Sequence, residues 1–241
     1  MSIKEKIIEG KYNYFNKEVL YTEEDFYVER EEGLQGNLIF SSEVLSRVRT
    51  GEFLKINVEY VVTKKFDPVN IKITRQLGGK QSSEEYTIDQ KTKNMVYEFS
   101  SDGKTHYFEK VVSQMNHIIA PSFVTSMLMV NQKKIDPVQR TPYSLISTEN
   151  VWEYKEGFTE KEIYVELIDL EPQEIVIDGS KIKASHCKLM QVDSNGSIID
   201  DSQVIWLSKH FNIPYLVKFG DDFEIRVETL KKFEEAAKKI F

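Results

Sequence analysis

Apolar and polar residues alternate with a period of two along most of this chain. Between Glu52 and Thr63, one face carries Leu54, Ile56, Val58, Tyr60 and Val62, and the other carries Phe53, Lys55, Asn57, Glu59 and Val61. Such alternation marks a strand with one buried and one wet face. It recurs from Phe223 to Leu230, where Phe223, Ile225, Val227 and Thr229 oppose Glu224, Arg226 and Glu228. Two more strands lead into that one. The first holds Trp206 and Leu207 and ends in a turn at Asn212-Ile213-Pro214. The second, Tyr215 to Phe219, turns at Gly220-Asp221-Asp222. Short turns between successive strands predict an antiparallel meander.

The same reading extends to both sides of the middle. Strands are predicted at Tyr12 to Phe15, Val19 to Arg30, around Ile71 and Ile73, Tyr86 to Asp89, Met95 to Phe99 and Thr105 to Glu109. Phe40 to Val48 fits strand or helix, and Gly33 and Gly36 punctuate a turn. In the second half, strands are predicted at Asn150 to Tyr154, Lys161 to Leu170, Glu174 to Ile177, Lys181 to Val192 and Ser197 to Ile199. Asp178-Gly179 and Asn195-Gly196 suit two-residue hairpin turns, because both dipeptides accept positive φ. Residues 2–9 read as a short helical or frayed lead, and Lys231 to Phe241 as an amphipathic helix with Phe233, Ala237 and Phe241 in one stripe.

Only the middle breaks the period. The run Ile118 to Val130 holds no charge, and Phe123, Met127 and Val130 fall at i, i+4 and i+7, with Val124 and Leu128 alongside. Ser122 suits an N-cap, so the spacing predicts a short helix apolar on most sides, and such a helix is buried. A fully buried strand is the competing reading. Gln132 to Pro142, polar and with two prolines, reads as a surface loop.

Composition narrows the class. A chain of 241 residues suits one large β domain, residues 1–241, since sandwiches and barrels reach roughly 200–250 residues as a unit. The 40% hydrophobic and 29% charged content is that of a folded globular protein. The net charge of −7 is spread as interleaved acids and bases, and the basic pairs such as Lys64-Lys65 and Lys238-Lys239 are short. A nucleic-acid binder concentrates its basic residues on one face, so no nucleic-acid partner is expected. The single cysteine, Cys187, excludes an internal disulfide. No secretion signal or window of about 18 apolar residues is visible, so no membrane span and a cytoplasmic location are expected, or a periplasmic one if a signal was trimmed.

Candidate chemistry changes little. His106, His117, His186 and His210 lack metal-ligand spacing, and His186 and Cys187, neighbours in a strand, point to opposite faces. No nucleophile elbow, P-loop or dinucleotide fingerprint occurs. The paired carboxylates Glu23-Glu24, Glu31-Glu32, Glu84-Glu85, Asp200-Asp201 and Asp221-Asp222 each sit where at least one member meets solvent, which argues against a glycosidase dyad. No enzyme, cofactor or metal is expected. A long meander must curl or be plugged to hide its apolar face. The expected fold is therefore mainly β: an antiparallel meander curled into an unclosed β-barrel or β-spiral, with a short central plug helix and a C-terminal helix. Met127 and Met129 suit either adaptable apolar binding or plain core.

The order of long strands, central apolar segment, second meander and closing unit (Val204-Ile205-Trp206-Leu207-Ser208, Ile213-Pro214-Tyr215, Gly220 to Ile225) resembles the lipoprotein-carrier-like proteins. Relatives of that group include glycolipid-binding proteins and bacterial domains of unknown function. The resemblance implies an unclosed barrel whose concave face holds acyl chains. It implies a non-enzymatic binding protein with Phe123, Val124, Met127, Leu128 and Trp206 lining a site for a lipid or other apolar ligand. The alternative is an interaction or scaffold protein with a fully packed core and no small-molecule ligand.

Overall fold

The computed structural model describes residues 4–32, 36–112, 116–193, 195 and 197–233. In the first half, eight strands follow one another: β1 (Lys4–Asn16), β2 (Val19–Glu31), β3 (Leu38–Arg47), β4 (Phe53–Val62), β5 (Pro68–Leu77), β6 (Lys80–Ile88), β7 (Asn94–Ser101) and β8 (Lys104–Val111). Each pairs antiparallel with the next, as the alternation and short turns require. After the middle come β9 (Asn116–Ile118), β10 (Thr141–Ser147), β11 (Thr159–Leu167), β12 (Gln173–Ile177), β13 (Ser180–Val192), β14 (Ile198–Leu207), β15 (Pro214–Phe219) and β16 (Phe223–Lys232).

The two meanders are stitched together by the first and last strands. β1 pairs antiparallel with β16, so one sheet runs from β8 through β1 and β16 to β9, with β12 folded onto β13 beside the main path. The sheet does not close: β8 and β9 are its ends. The segment 148–158 bridges the gap instead. Phe158 packs its ring on Tyr97 and Phe108, and Ser82 and Ser101 donate hydrogen bonds to the carbonyls of Val151 and Trp152. The curled sheet buries a single apolar cluster that includes Tyr12, Phe40, Tyr60, Ile71, Met95 and Ile205.

Several sequence expectations need correction. The lead from residue 4 onward is strand, not helix, because both edges of β1 are paired; a bulge between Lys6 and Ile8 lets Ile7 and Ile8 both turn inward. The central helix is two fragments: a 3-10 turn at Phe123–Thr125 and, after a turn, the four-residue helix α1 (Met129–Gln132). Buried on all sides, this segment takes its shape from the cavity it fills rather than from helical periodicity. Asn150 to Tyr154 is loop; Asn150 is spent on Tyr97 and the Lys155 amide instead of a ladder. Ambiguous Phe40 to Val48 lies in β3 apart from its last residue, and Asp178-Gly179 makes the predicted hairpin. Strand β16 runs on through Lys232, so the expected C-terminal helix does not begin at Lys231; its remainder, 234–241, lies outside the described residues. So do residues 2–3 of the lead, Gly33 and Gly196.

Candidate functional site

The interior of the curl is occupied by the plug, residues 121–132. Phe123, Val124, Met127 and Leu128 are buried, at 8%, 0%, 1% and 1% exposure. Phe123 meets Tyr12 edge-on at 5.0 Å, and Tyr12 stacks on Phe26 at 4.8 Å. Gly10 makes that stack possible: a Cβ there would lie 2.7 Å from the Phe26 ring and 2.6 Å from the Thr229 carbonyl.

Sequence reasoning missed what holds the plug. Ser122 does precede the turn, but its side chain makes no cap hydrogen bond. Capping comes from across the core. The carboxylate of Glu24, on β2 and fully buried, accepts from the Phe123 amide at 2.9 Å and the Val124 amide at 3.5 Å. It also accepts from the Ser122 hydroxyl at 2.7 Å and from the Tyr14 hydroxyl. Ser42 reaches Ser122 at 2.8 Å. Burial pushes the Glu24 carboxyl above the usual carboxylate range, against the pull of these donors. At the far end Asn131 donates to the Phe211 carbonyl at 2.7 Å and accepts from Asn212 at 2.9 Å. The plug is thus tied to both meanders.

A signal for Glu24 was present: it shares the parity of Phe26 and Val28, both buried. Glu84 follows the same rule with Tyr86 and Ile88. It is buried, meets Arg75 at 2.6 Å, and accepts from Tyr86, Tyr97 and Thr148 at 3.0, 2.8 and 2.7 Å. That network anchors the bridging segment.

Trp206 lies apart from the plug residues. It sits between the buried Ile205 and Leu207 and is itself half-buried, packed against the edge of the core. There it stacks on His186 at 4.5 Å and donates to Gln173 at 2.9 Å. Gln173 and His186 both reach the Asp169 carboxylate, at 2.6 and 2.7 Å. Cys187 is inward and buried, which pushes its thiol up to about 12 and keeps it an inert thiol at neutral pH. The other histidines are scattered. His117 is buried with its Nδ1 3.1 Å from the Tyr60 hydroxyl, and burial lowers its pKa to about 4. His106 stacks on Tyr154 at 4.2 Å, and His210 stands in the turn before Ile213. Among the described residues no three metal-ligating side chains come together.

An open groove of about 1140 Å3 lies on the solvent side of β16, β1, β2, β3, β4 and β5. Two cross-strand rows floor it. One runs Thr229, Lys11, Asp25, Glu43, Asn57 and Thr74; the other runs Lys231, Glu9, Tyr27, Ser41, Glu59 and Lys72. Asp178, from the β12–β13 turn, also lines it. The plug residues and Trp206 do not line this groove.

No protein-family model matches the chain, and no curated protein matches it. Among solved structures, the chain is similar to a β-barrel-like protein of domain of unknown function DUF1849 from Brucella abortus. The TM-score is 0.51 at 11% identity, over 95% of this chain and 98% of that one. A DUF1089 family protein from Pseudomonas aeruginosa gives a TM-score of 0.40 at 12% identity, over 75% of this chain and 89% of that one. With the open 16-stranded sheet, the first of these likenesses establishes a β-barrel-like fold, and it establishes the fold alone.

Proposed function

We propose that this chain is a non-enzymatic binding protein whose curl is filled by its own plug and whose contacts are made on the outer side of the sheet. The observation that carries the reading is the burial of Phe123, Val124, Met127 and Leu128 behind the Glu24 latch. An acyl chain entering the concave side has to displace those side chains and strip Glu24 of its Ser122, Phe123 and Val124 donors, leaving it the Tyr14 hydroxyl. At about 0.8 kcal/mol per buried CH2, a chain of about 15 carbons recovers roughly 12 kcal/mol. Expelling four large apolar side chains costs roughly 6–12 kcal/mol, and breaking the latch adds roughly 3–5 kcal/mol. The exchange has no clear driving force.

The resemblance to lipoprotein carriers supports the opposite reading, with Phe123, Val124, Met127, Leu128 and Trp206 as the lining. Native mass spectrometry and solvent extraction of the purified protein separate the two. The filled interior predicts the bare mass of 28.2 kDa and a Tm indifferent to added fatty acid. Stoichiometric lipid, lost in a folded Phe123→Glu variant, would overturn it.

A further inference from the structure

The curled sheet leaves one long edge bare. Strand β8 ends the sheet and pairs with β7 alone, over eight residues and with no break in register. Just beyond that ladder the Val112 amide donates to the Lys93 carbonyl at 2.9 Å. Hydrogen-bonded positions alternate along an antiparallel pair, so the backbone groups of Lys104, His106, Phe108 and Lys110 point to β7. Those of Thr105, Tyr107, Glu109 and Val111 point away from the sheet and make no backbone hydrogen bond among the described residues.

The side chains of the same four residues are exposed, Tyr107 by 66% and Val111 by 72%. Natural edges are blunted by proline, by bulges, by shortness or by charge. β8 has neither proline nor bulge, and Glu109 is the one charged residue of the four. The opposite end of the sheet is blunted: β9 is three residues long, with His117 and Ile118 buried.

The strand is also complementary to itself. Two copies of β8, antiparallel about a two-fold axis at Phe108, set Thr105 of each opposite Val111 of the other, and Tyr107 opposite Glu109. That register uses every outward amide and carbonyl of both strands. It opposes no two acids and no two lysines, and on the inner side His106 meets a Lys110 whose charge Glu160 already takes. Moving the axis to Tyr107 sets Lys104 against Lys110, and moving it to Glu109 sets Glu109 against itself. Like charges directly opposite destabilise a strand pair.

We propose that the β8 edge is the interface of a two-fold dimer, its partner a second copy of this chain, with the two sheets joined across paired β8 strands. A two-fold contact is satisfied by itself, so association stops at two. The proposal goes beyond the filled interior and does not depend on it: recovered lipid would overturn that reading and leave this one standing.

The test is sedimentation equilibrium of the full chain from about 1 to about 500 μM, with amide exchange measured at both ends of that range. The mass should rise from 28.2 kDa toward twice that value. Exchange at Thr105, Tyr107, Glu109 and Val111 should slow about tenfold or more at the higher concentration. The amides between them, bonded to β7 throughout, should not change. Glu109→Pro deletes one outward donor where β7 needs none, so the chain should fold and lose the dimer. The exposed Tyr107 reads the register: Tyr107→Lys attracts Glu109 of the other copy and Tyr107→Glu repels it, so the first should dimerise about tenfold more tightly than the second. A chain that stays monomeric at the highest concentration leaves the edge to a foreign strand and overturns the proposal. So does a dimer that survives Glu109→Pro in the folded chain, a Tyr107→Lys dimer no tighter than that of Tyr107→Glu, or assembly beyond two copies.

Discussion

Replacing Glu24 by alanine strips four donors of their acceptor at once: the Tyr14 and Ser122 hydroxyls and the Phe123 and Val124 amides. A hydrogen bond to a charged acceptor contributes about 1.5–3 kcal/mol, but the four share one carboxylate and do not add. Water entering the vacated space recovers part of the loss. The desolvation cost of a buried ionised group offsets a further part of what the wild-type carboxylate supplies. Roughly 4 kcal/mol is the expected cost of Glu24→Ala, a large share of a total stability of about 5–15 kcal/mol. Glu24→Gln keeps one acceptor oxygen but turns an amide NH2 toward donors, and should cost roughly half as much. Urea unfolding followed by tryptophan fluorescence measures both, and amide exchange at Phe123 and Val124 reports the latch locally. The sign with pH is also fixed. Because burial raises the folded-state pKa of Glu24, its contribution is complete below the ordinary carboxylate pKa and declines as pH rises through the raised value. Glu24→Gln should abolish that decline. A loss below about 1 kcal/mol in Glu24→Ala, with unchanged exchange at Phe123 and Val124, would refute the reasoning.

Two further perturbations probe the same core. His117 is held neutral with a pKa of about 4 against an ordinary 6.5, so the unfolded chain takes up its proton first and stability falls as pH drops from 6.5 to about 4. The loss over that window is roughly 3 kcal/mol, and His117→Asn should flatten the curve measured by urea titration at a series of pH values; an unaltered slope argues against burial as the cause. Gly10→Ala places a methyl against the Thr229 carbonyl and the Phe26 ring. It should cost about 1–3 kcal/mol and lower the calorimetric Tm by roughly 3–9 °C, partly restored by Phe26→Leu; a Tm equal to wild type contradicts the close approach.

Much of the sheet is legible because parity survives burial. Leu54 to Val62 and Phe223 to Leu230 announce themselves by alternation, and both are strands in the expected places. Where both faces or neither are apolar, parity carries no signal. Lys4 to Gly10 mixes charges with two adjacent isoleucines because a bulge resets its register, and only the pairing of β1 with β16 reveals why it is strand. The plug has the reverse problem: a run apolar throughout reports burial but not conformation. The carboxylate pairs are the sharpest lesson. In Glu23-Glu24 and Glu84-Glu85 one member does face outward, as expected. The other is sealed in the core, and its parity with Phe26 or Tyr86 was the readable clue. Trp206 entered through family resemblance, and in the structure it is half-buried at the edge of the core, stacked on His186.

The seam between β1 and β16 has a consequence for the order in which the molecule is made. On the order of 200 residues separate Asn16 from its ladder partner Phe223. At a synthesis rate of about 5–20 residues per second, β1 waits roughly 10–40 s for that partner to be translated. During that interval the first meander can zip up from local hairpins, which form within microseconds, while one side of β1 remains an open template for intermolecular pairing. Glu5, Lys6, Glu9 and Lys11 along that strand are then guards of a nascent chain as well as surface residues of a finished one. Final assembly is a zipper closed by its last tooth, and the sheet becomes continuous only when β16 arrives.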